Sequence, residues 1–175
     1  AAQLLESTDR VLGRKYLEIG SYNLALESFK EAEYVNPNSA FVKKELGECY
    51  YLLGRSAVEQ QEKDGYYSLS RKYYKAAIAI RPEFPAARYG YGLLLFFAYG
   101  DVYGAIEQMK QILSIEPENI EAHFALGRFY YEIGDLGKSL GEYLALNRIL
   151  PKDSPKRDQV EENILRINRE LGANG

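Results

Sequence analysis

The chain has 175 residues, 46% of them hydrophobic, which is enough for one domain with a sizeable core and too apolar for a disordered segment. A net charge of -3 and a pI near 5.4 argue against a nucleic-acid or anionic-membrane surface, since such partners need a concentrated basic face. No apolar run approaches the roughly 20 residues of a membrane span, and Ala1 to Arg10 does not read as a signal peptide, so the compartment stays open, a removed leader or anchor included.

Taken in order, residues 3–19 read as a first helix, with Leu5, Leu12 and Tyr16 on one side and Gly20-Ser21 ending it. Leu24, Ala25, Phe29 and Ala32 fill a second helix, which stops at Asn36-Pro37-Asn38-Ser39, with Asn38 or Ser39 available to cap the next. A third helix starts near Phe41. It runs into RSAVEQQEKDG, residues 55–65, whose helix propensity holds up to Lys63. Balancing helical rise against an extended return predicts that this helix overshoots by about two turns and reverses at Asp64-Gly65. Symmetric extension of both helices by about five residues is the competing geometry. A fourth helix is expected over Tyr66 to Ile80, and a fifth from Pro85 through AARYGYGLLLFFAYG, apolar almost all round. Asp101 and Asp135 follow glycines and read as helix caps. Ser154-Pro155 opens an amphipathic helix to about Leu171, and Gly172 to Gly175 reads as a frayed tail.

These helices fall on a repeat. With Ile120 as position 1, Gly127 stands at position 8, Tyr130 at 11, Gly134 at 15, Tyr143 at 24 and Pro151 at 32. Laid on residues 6–39, the same frame finds Gly13, Tyr16, Gly20, Ala25, Phe29, Ala32 and Pro37. From Ala40, Gly47, Tyr50 and Gly54 match, while Tyr74, Ala77 and Pro82 come eleven residues late. In the third unit Gly92, Gly100, Ala105 and Pro117 match with one extra residue between Gly92 and Gly100, either a wide helical turn or a longer loop. Four units in register resemble the tetratricopeptide repeat family, whose period is about 34 residues. The units are 6–39, 40–85 with the insertion 55–65, 86–119 and 120–153, followed by a capping helix at 154–172, in one domain spanning 1–175. Three departures stand out: no tryptophan at position 4, where Asp9, Lys43, Arg88 and His123 stand, Ser139 for alanine at position 20, and Met109 for an aromatic at 24. The resemblance implies an all-α, right-handed superhelical solenoid of antiparallel helix pairs, with the position-8 glycines at close helix crossings.

No catalytic constellation accompanies this architecture. Cys49 and His123 are each the single residue of their kind, and both are expected in packed helices, so no enzymatic site, metal site or cofactor is predicted. The resemblance places a binding surface on positions 2, 5, 9 and 12 of each first helix, which line the concave groove in that family and hold peptide segments. Here the groove stripe comprises Arg10, Arg14, Phe41, Lys44, Tyr51, Tyr89, Leu93, Phe96, Phe124, Arg128 and Tyr131, with Ser7, Leu17, Glu48, Ala86 and Glu121 between them. Position 9 holds Arg14, Glu48, Leu93 and Arg128, where chaperone-tail clamps of the family have asparagine in the first unit, which argues against such a clamp. An aromatic middle with basic flanks suits an amphipathic helix or an extended apolar segment of a protein partner. Structural self-association in a larger complex is the second function class, and an aromatic pocket for a small ligand the third.

Overall fold

The computed structural model describes residues 2–173. Among these, nine helices form the regular structure: α1 (Ala2–Glu18), α2 (Tyr22–Val35), α3 (Ala40–Ser56), α4 (Gln60–Ile80), α5 (Pro85–Tyr99), α6 (Val102–Ile115), α7 (Ile120–Glu132), α8 (Leu136–Ile149) and α9 (Arg157–Ala173). They group into two compact units, α1–α5 up to Tyr99 and α6–α9 from Gly100 onward. In the first, α1 pairs with α2 and α3 with α4, α1 and α5 both touch α3, and α5 also rests on α4. In the second, α7 lies between α6 and α8, and α9 covers α8. No helix among the described residues is long and apolar enough to cross a membrane.

Close crossing of paired helices rests on one recurring contact. A Cβ at Gly13 would run into the Phe29 ring, one at Gly47 would stand 2.9 Å from Tyr74 Cγ, and one at Gly127 would stand 2.8 Å from Tyr143 Cε2. Position 8 therefore has to be bare because the ring at position 24 lies flat against the opposing backbone. Ser70 and Ser139, both fully buried, donate from Oγ to the carbonyls of Gly47 and Gly127 at 2.7 Å each. A hydroxyl at position 20 is thus satisfied across the pair, which accounts for serine where the repeat favours alanine. Around these contacts Phe29, Leu46, Cys49 and Leu53 build one core, and Tyr143, Leu146, Val160 and Ile167 another. Cys49 is fully buried, its Sγ donates to the Tyr22 carbonyl at 3.3 Å, and burial pushes its pKa up to about 12, so it stays a packed thiol.

The insertion differs from the expected overshoot. With 17 residues, α3 is four longer than the 13-residue α7; with 21, α4 is seven longer than the 14-residue α2, and each pair keeps a three-residue link. Four and seven sum to the eleven inserted residues, so both helices grow and the reversal falls at 57–59, not at Asp64-Gly65. Two antiparallel helices satisfy their own amides and carbonyls except in their end turns, whereas an extended return would leave its backbone unpaired. One consequence concerns Gly54. Gly20 and Gly134 end their helices with φ of 75° and 77°, but α3 runs straight through Gly54, where a Cβ would stand 2.6 Å from the Tyr67 ring. The same marker residue therefore serves close packing in place of a turn.

The extra residue of the third unit is neither a wide turn nor a longer loop. α5 is a regular 15-residue helix that continues to Tyr99, and the link to α6 shortens to Gly100 and Asp101, with Gly100 at φ 64°. At the other end of the chain α9 starts at Arg157, three residues past Ser154, and continues to Ala173, so Gly172 is helical and the last two positions of the expected frayed tail lie outside the described residues. Asp101 and Asp135 accept from the amides of Gly104 at 2.9 Å and Lys138 at 3.1 Å, as expected of N-caps, and Ser39 caps α3 through the amide of Val42.

The missing tryptophan at position 4 is replaced by a polar latch. Arg88 Nε donates to the Pro82 carbonyl at 3.0 Å, Arg157 Nε to that of Pro151 at 2.9 Å, and His123 Nε2 lies 2.9 Å from that of Pro117. In each case a side chain six residues after the proline closes a helix-to-helix turn whose carbonyls have no helical partner. Arg157 goes further and also donates to the carbonyls of Asn147 and Leu150, capping the end of α8. His123, buried beneath Glu142, sits 2.6 Å from that carboxylate through Nδ1, so acceptors face both ring nitrogens.

Candidate functional site

The expected stripe is divided between the two units. On the first, Lys44, Glu48 and Tyr51 of α3 face Ala86, Tyr89 and Leu93 of α5, and together with Leu52, Tyr74 and Gly90 they enclose a cleft of about 320 Å³. Two first helices supply it because α3 and α5 are in direct contact. Their stripes then meet along one seam, since residues three and four apart share a helix face. The pocket is of the size that takes one or two side chains of a ligand. A second hollow of about 290 Å³ is lined by Tyr51, Arg55, Tyr67 and Phe97.

The charges of the stripe are largely consumed by the fold. Arg10 donates from Nε and Nη2 to both oxygens of Glu45 at 2.7 and 2.9 Å, and that carboxylate is 2% exposed. Arg14 stands 3.8 Å from the same carboxylate with its side chain 55% exposed, while Lys44 pairs with Glu48 at 3.0 Å. Three cations against two carboxylates leave one net positive charge, and Arg14 is the member that faces water. Glu45 faces inward at a position that reads as an ordinary helical surface residue, so the neutralisation of Arg10 is invisible in the sequence. Its guanidinium also lies 4.9 Å from the Phe41 ring, which packs edge-on against Phe84 at 5.1 Å and has the Arg81 guanidinium 5.4 Å from its centroid. Phe41 is 42% exposed and so offers an aromatic edge held rigid by two cations.

Tyr51 is half-buried, set 6.1 Å from Tyr67 and 5.8 Å from the Arg55 guanidinium, and desolvation raises its phenol above the ordinary value. Phe96 makes a perpendicular contact with Phe97 at 4.9 Å, and Phe97 is half-exposed. On the second unit, Phe124, Arg128 and Tyr131 lie along α7. Phe124 meets Tyr143 edge-on at 6.3 Å and has Lys156 over its face at 5.7 Å; Tyr131 donates to Glu170 at 2.6 Å beneath the Arg166 guanidinium at 4.6 Å. Both rings thus seat α9 and the turn before it, while Arg128 is exposed. Tyr74 and Gly90 line the α3–α5 cleft although neither belongs to the stripe. The signal that could have found them is the sequence YGYG in α5, whose second glycine fills the repeat position and whose first has no repeat role.

Helix pairs with a bare position 8 against an aromatic position 24 define a helical-repeat protein, and residues 96–156 match the tetratricopeptide repeat profile. Over that stretch the chain matches the tetratricopeptide repeat family, and its nine described helices have the arrangement of such repeats followed by a C-terminal helix. It is 26% identical to TTC0263, a thermophilic TPR protein of Thermus thermophilus, over 91% of this chain and 81% of that one, with a TM-score of 0.81. It is also 26% identical over 138 residues to Protein CTR9 homolog of Arabidopsis thaliana, covering 79% of this chain. The chain spans only about an eighth of that relative, 12% of its length. The first TPR of Spaghetti (RPAP3), solved bound to an HSP90 peptide, shares the fold at a TM-score of 0.60 and 19% identity, over 76% of this chain and 93% of that one. A fold of this kind supports protein–protein interaction.

Proposed function

We propose that the protein is a non-enzymatic scaffold that captures an apolar segment of a partner protein, extended or helical, in the cleft between α3 and α5. The observation that carries this reading is the convergence of Tyr51, Leu52, Tyr89 and Leu93 from two first helices on one open, largely apolar hollow. Partly buried aromatic and aliphatic anchors beside a rigid wall are the features that concentrate binding energy at interfaces. Arg14 and the Phe41 edge extend the surface at the α1 side, which favours a partner with an acidic residue flanking its apolar core. The HSP90 peptide held by the Spaghetti repeat lends support to peptide capture as the mode, while the Arg, Glu, Leu and Arg at position 9 here point to a different peptide.

The test is selection of random peptides displayed on phage against the immobilised chain, followed by affinity measurement on wild type and Leu93→Glu. Leu93 lines the cleft wall at intermediate exposure, so the added charge should weaken selected peptides by about tenfold or more while circular dichroism stays helical. Equal binding to both proteins would remove the cleft from the account.

A second reading, self-association, rests on α1 and the turn residue that follows it. Leu5, Leu12 and Ile19 recur at sevens beside Leu4 and Val11, and all five are at least 42% exposed. Light scattering of wild type against a Leu5→Glu, Leu12→Glu variant tests it, and a monomer at all concentrations for both would end it.

A further inference from the structure

Within the α3–α5 cleft the Tyr74 hydroxyl has no partner among the described residues. Tyr74 is 2% exposed and lines the cleft, yet no described residue accepts from its hydroxyl, whereas Tyr73 donates to Glu33 at 3.2 Å and Tyr131 to Glu170 at 2.6 Å. No side-chain polar atom sealed from solvent lacks a partner among the described residues, so the Tyr74 oxygen reaches the outside through the cleft it lines. Gly90 forms the adjoining floor. A Cβ there would stand 2.5 Å from Tyr74 Oη, so the bare backbone of α5 is what leaves the hydroxyl room. Desolvation, and then the nearby Glu48 carboxylate, hold this phenol well above its ordinary pKa, so it presents a donor at every physiological pH. Native folds seldom bury a donor without a use for it.

The surroundings choose the acceptor. A carboxylate would face the negative Glu48, and a lysine or arginine side chain brings no acceptor at all. A carboxamide fits both groups. Lys44 Nζ occupies Glu48 Oε2 at 3.0 Å, and Oε1 has no partner among the described residues. Building on the groove reading above, we propose that this cleft is its specificity pocket and takes a glutamine or asparagine side chain of the bound peptide, the amide oxygen accepting from Tyr74 and the amide nitrogen donating to Glu48. The volume of about 320 Å³, on the order of ten water molecules, admits such a side chain with its apolar stem against Tyr89 and Leu93.

The phage selection described above provides the probe, and the enriched peptide, synthesised with a fluorescent label, provides the assay. Selected sequences should share a glutamine or asparagine at one fixed position between apolar residues. Tyr74→Phe should weaken the peptide roughly three- to tenfold, the worth of one neutral hydrogen bond, and replacing the peptide's carboxamide residue by leucine should then lose little more on that variant. Because the hydroxyl has no partner among the described residues, Tyr74→Phe should leave the melting temperature unchanged. Gly90→Ala, which closes the floor, should weaken the same peptide. A melting temperature lowered by Tyr74→Phe would show a structural role for the hydroxyl and overturn the pocket. Peptides that lose affinity on Leu93→Glu but show no carboxamide preference, or bind Tyr74→Phe as well as wild type, would overturn the pocket and leave the groove standing. Binding indifferent to Leu93→Glu and Tyr74→Phe alike, or no enrichment at all, would overturn both.

Discussion

Gly127→Ala puts a single methyl group into the closest approach of α7 and α8. Its Cβ would stand 2.8 Å from Cε2 and Cζ of Tyr143, where carbon atoms prefer about 3.5 to 4.0 Å, so the ring must retreat by roughly 0.7 Å or more. That ring has little room, since Tyr143 is 4% exposed and packs in the cluster with Leu146, Val160 and Ile167 beside Phe124. Overpacking of this kind typically destabilises by about 1 to 3 kcal/mol, against which alanine regains about 1 kcal/mol of helix propensity. The informative comparison is Gly141→Ala on α8, where a Cβ meets nothing within 4 Å and only the propensity gain applies. The two variants should therefore differ by about 1 to 3 kcal/mol, with Gly141→Ala stabilising. Urea unfolding followed by circular dichroism measures both, with a Gly127→Leu variant as the severe case. If Gly127→Ala stabilises as much as Gly141→Ala, the position-8 crossing is not the close contact described here, and the packing account of the repeat fails.

Gly65 lies inside α4 with open space around it, so Gly65→Ala should stabilise by about 0.5 to 1 kcal/mol in urea unfolding, and a loss of stability would restore the turn at Asp64-Gly65. Excising residues 55–65 should give a soluble helical protein, since Gly54 then takes up the turn that Gly20 and Gly134 make elsewhere; an aggregated product would show that the extension is needed for folding. His123 is held charged chiefly by its hydrogen bond to Glu142, with the Pro117 carbonyl adding to it, and its pKa is raised above 6.5. A raised folded pKa means that its stabilisation is complete below that ordinary value and is lost as pH rises through the folded one. Urea midpoints should accordingly fall across that upper range for wild type but stay flat for His123→Gln, and equal slopes would exclude the coupling.

Most of the fold was legible because its determinants are local and repeated. Gly13, Gly47 and Gly127 could be read as crossings once the spacing to Phe29, Tyr74 and Tyr143 recurred, and the caps at Asp101 and Asp135 need only their own chain neighbours. The geometry of the insertion was not legible, because rise arithmetic treats the return as free to extend, whereas the backbone's demand for hydrogen bonds turns it into helix from Gln60 onward. Of the eleven stripe residues, four come together as their helix faces suggest. Lys44, Tyr51, Tyr89 and Leu93 do line one cleft, but the pairing of Arg10 with Glu45 depends on two helices 35 residues apart in sequence, and the seating of α9 on Tyr131 on a partner 39 residues away. Tyr74 is hidden in the sequence because its repeat position marks it as core, and only the glycine opposite reveals that its hydroxyl is left over.

Nuclear magnetic resonance mapping of a selected peptide on the ¹⁵N-labelled chain tests the central claim most directly. Backbone amides of Lys44, Glu48 and Tyr51 on α3 and of Tyr89, Gly90 and Leu93 on α5 should shift on titration, while exposed positions elsewhere on the same unit, such as Tyr34 and Ile80, stay in place. Shifts confined to Tyr34, Ile80 or the exposed face of α1, with α3 and α5 silent, would contradict binding in the cleft.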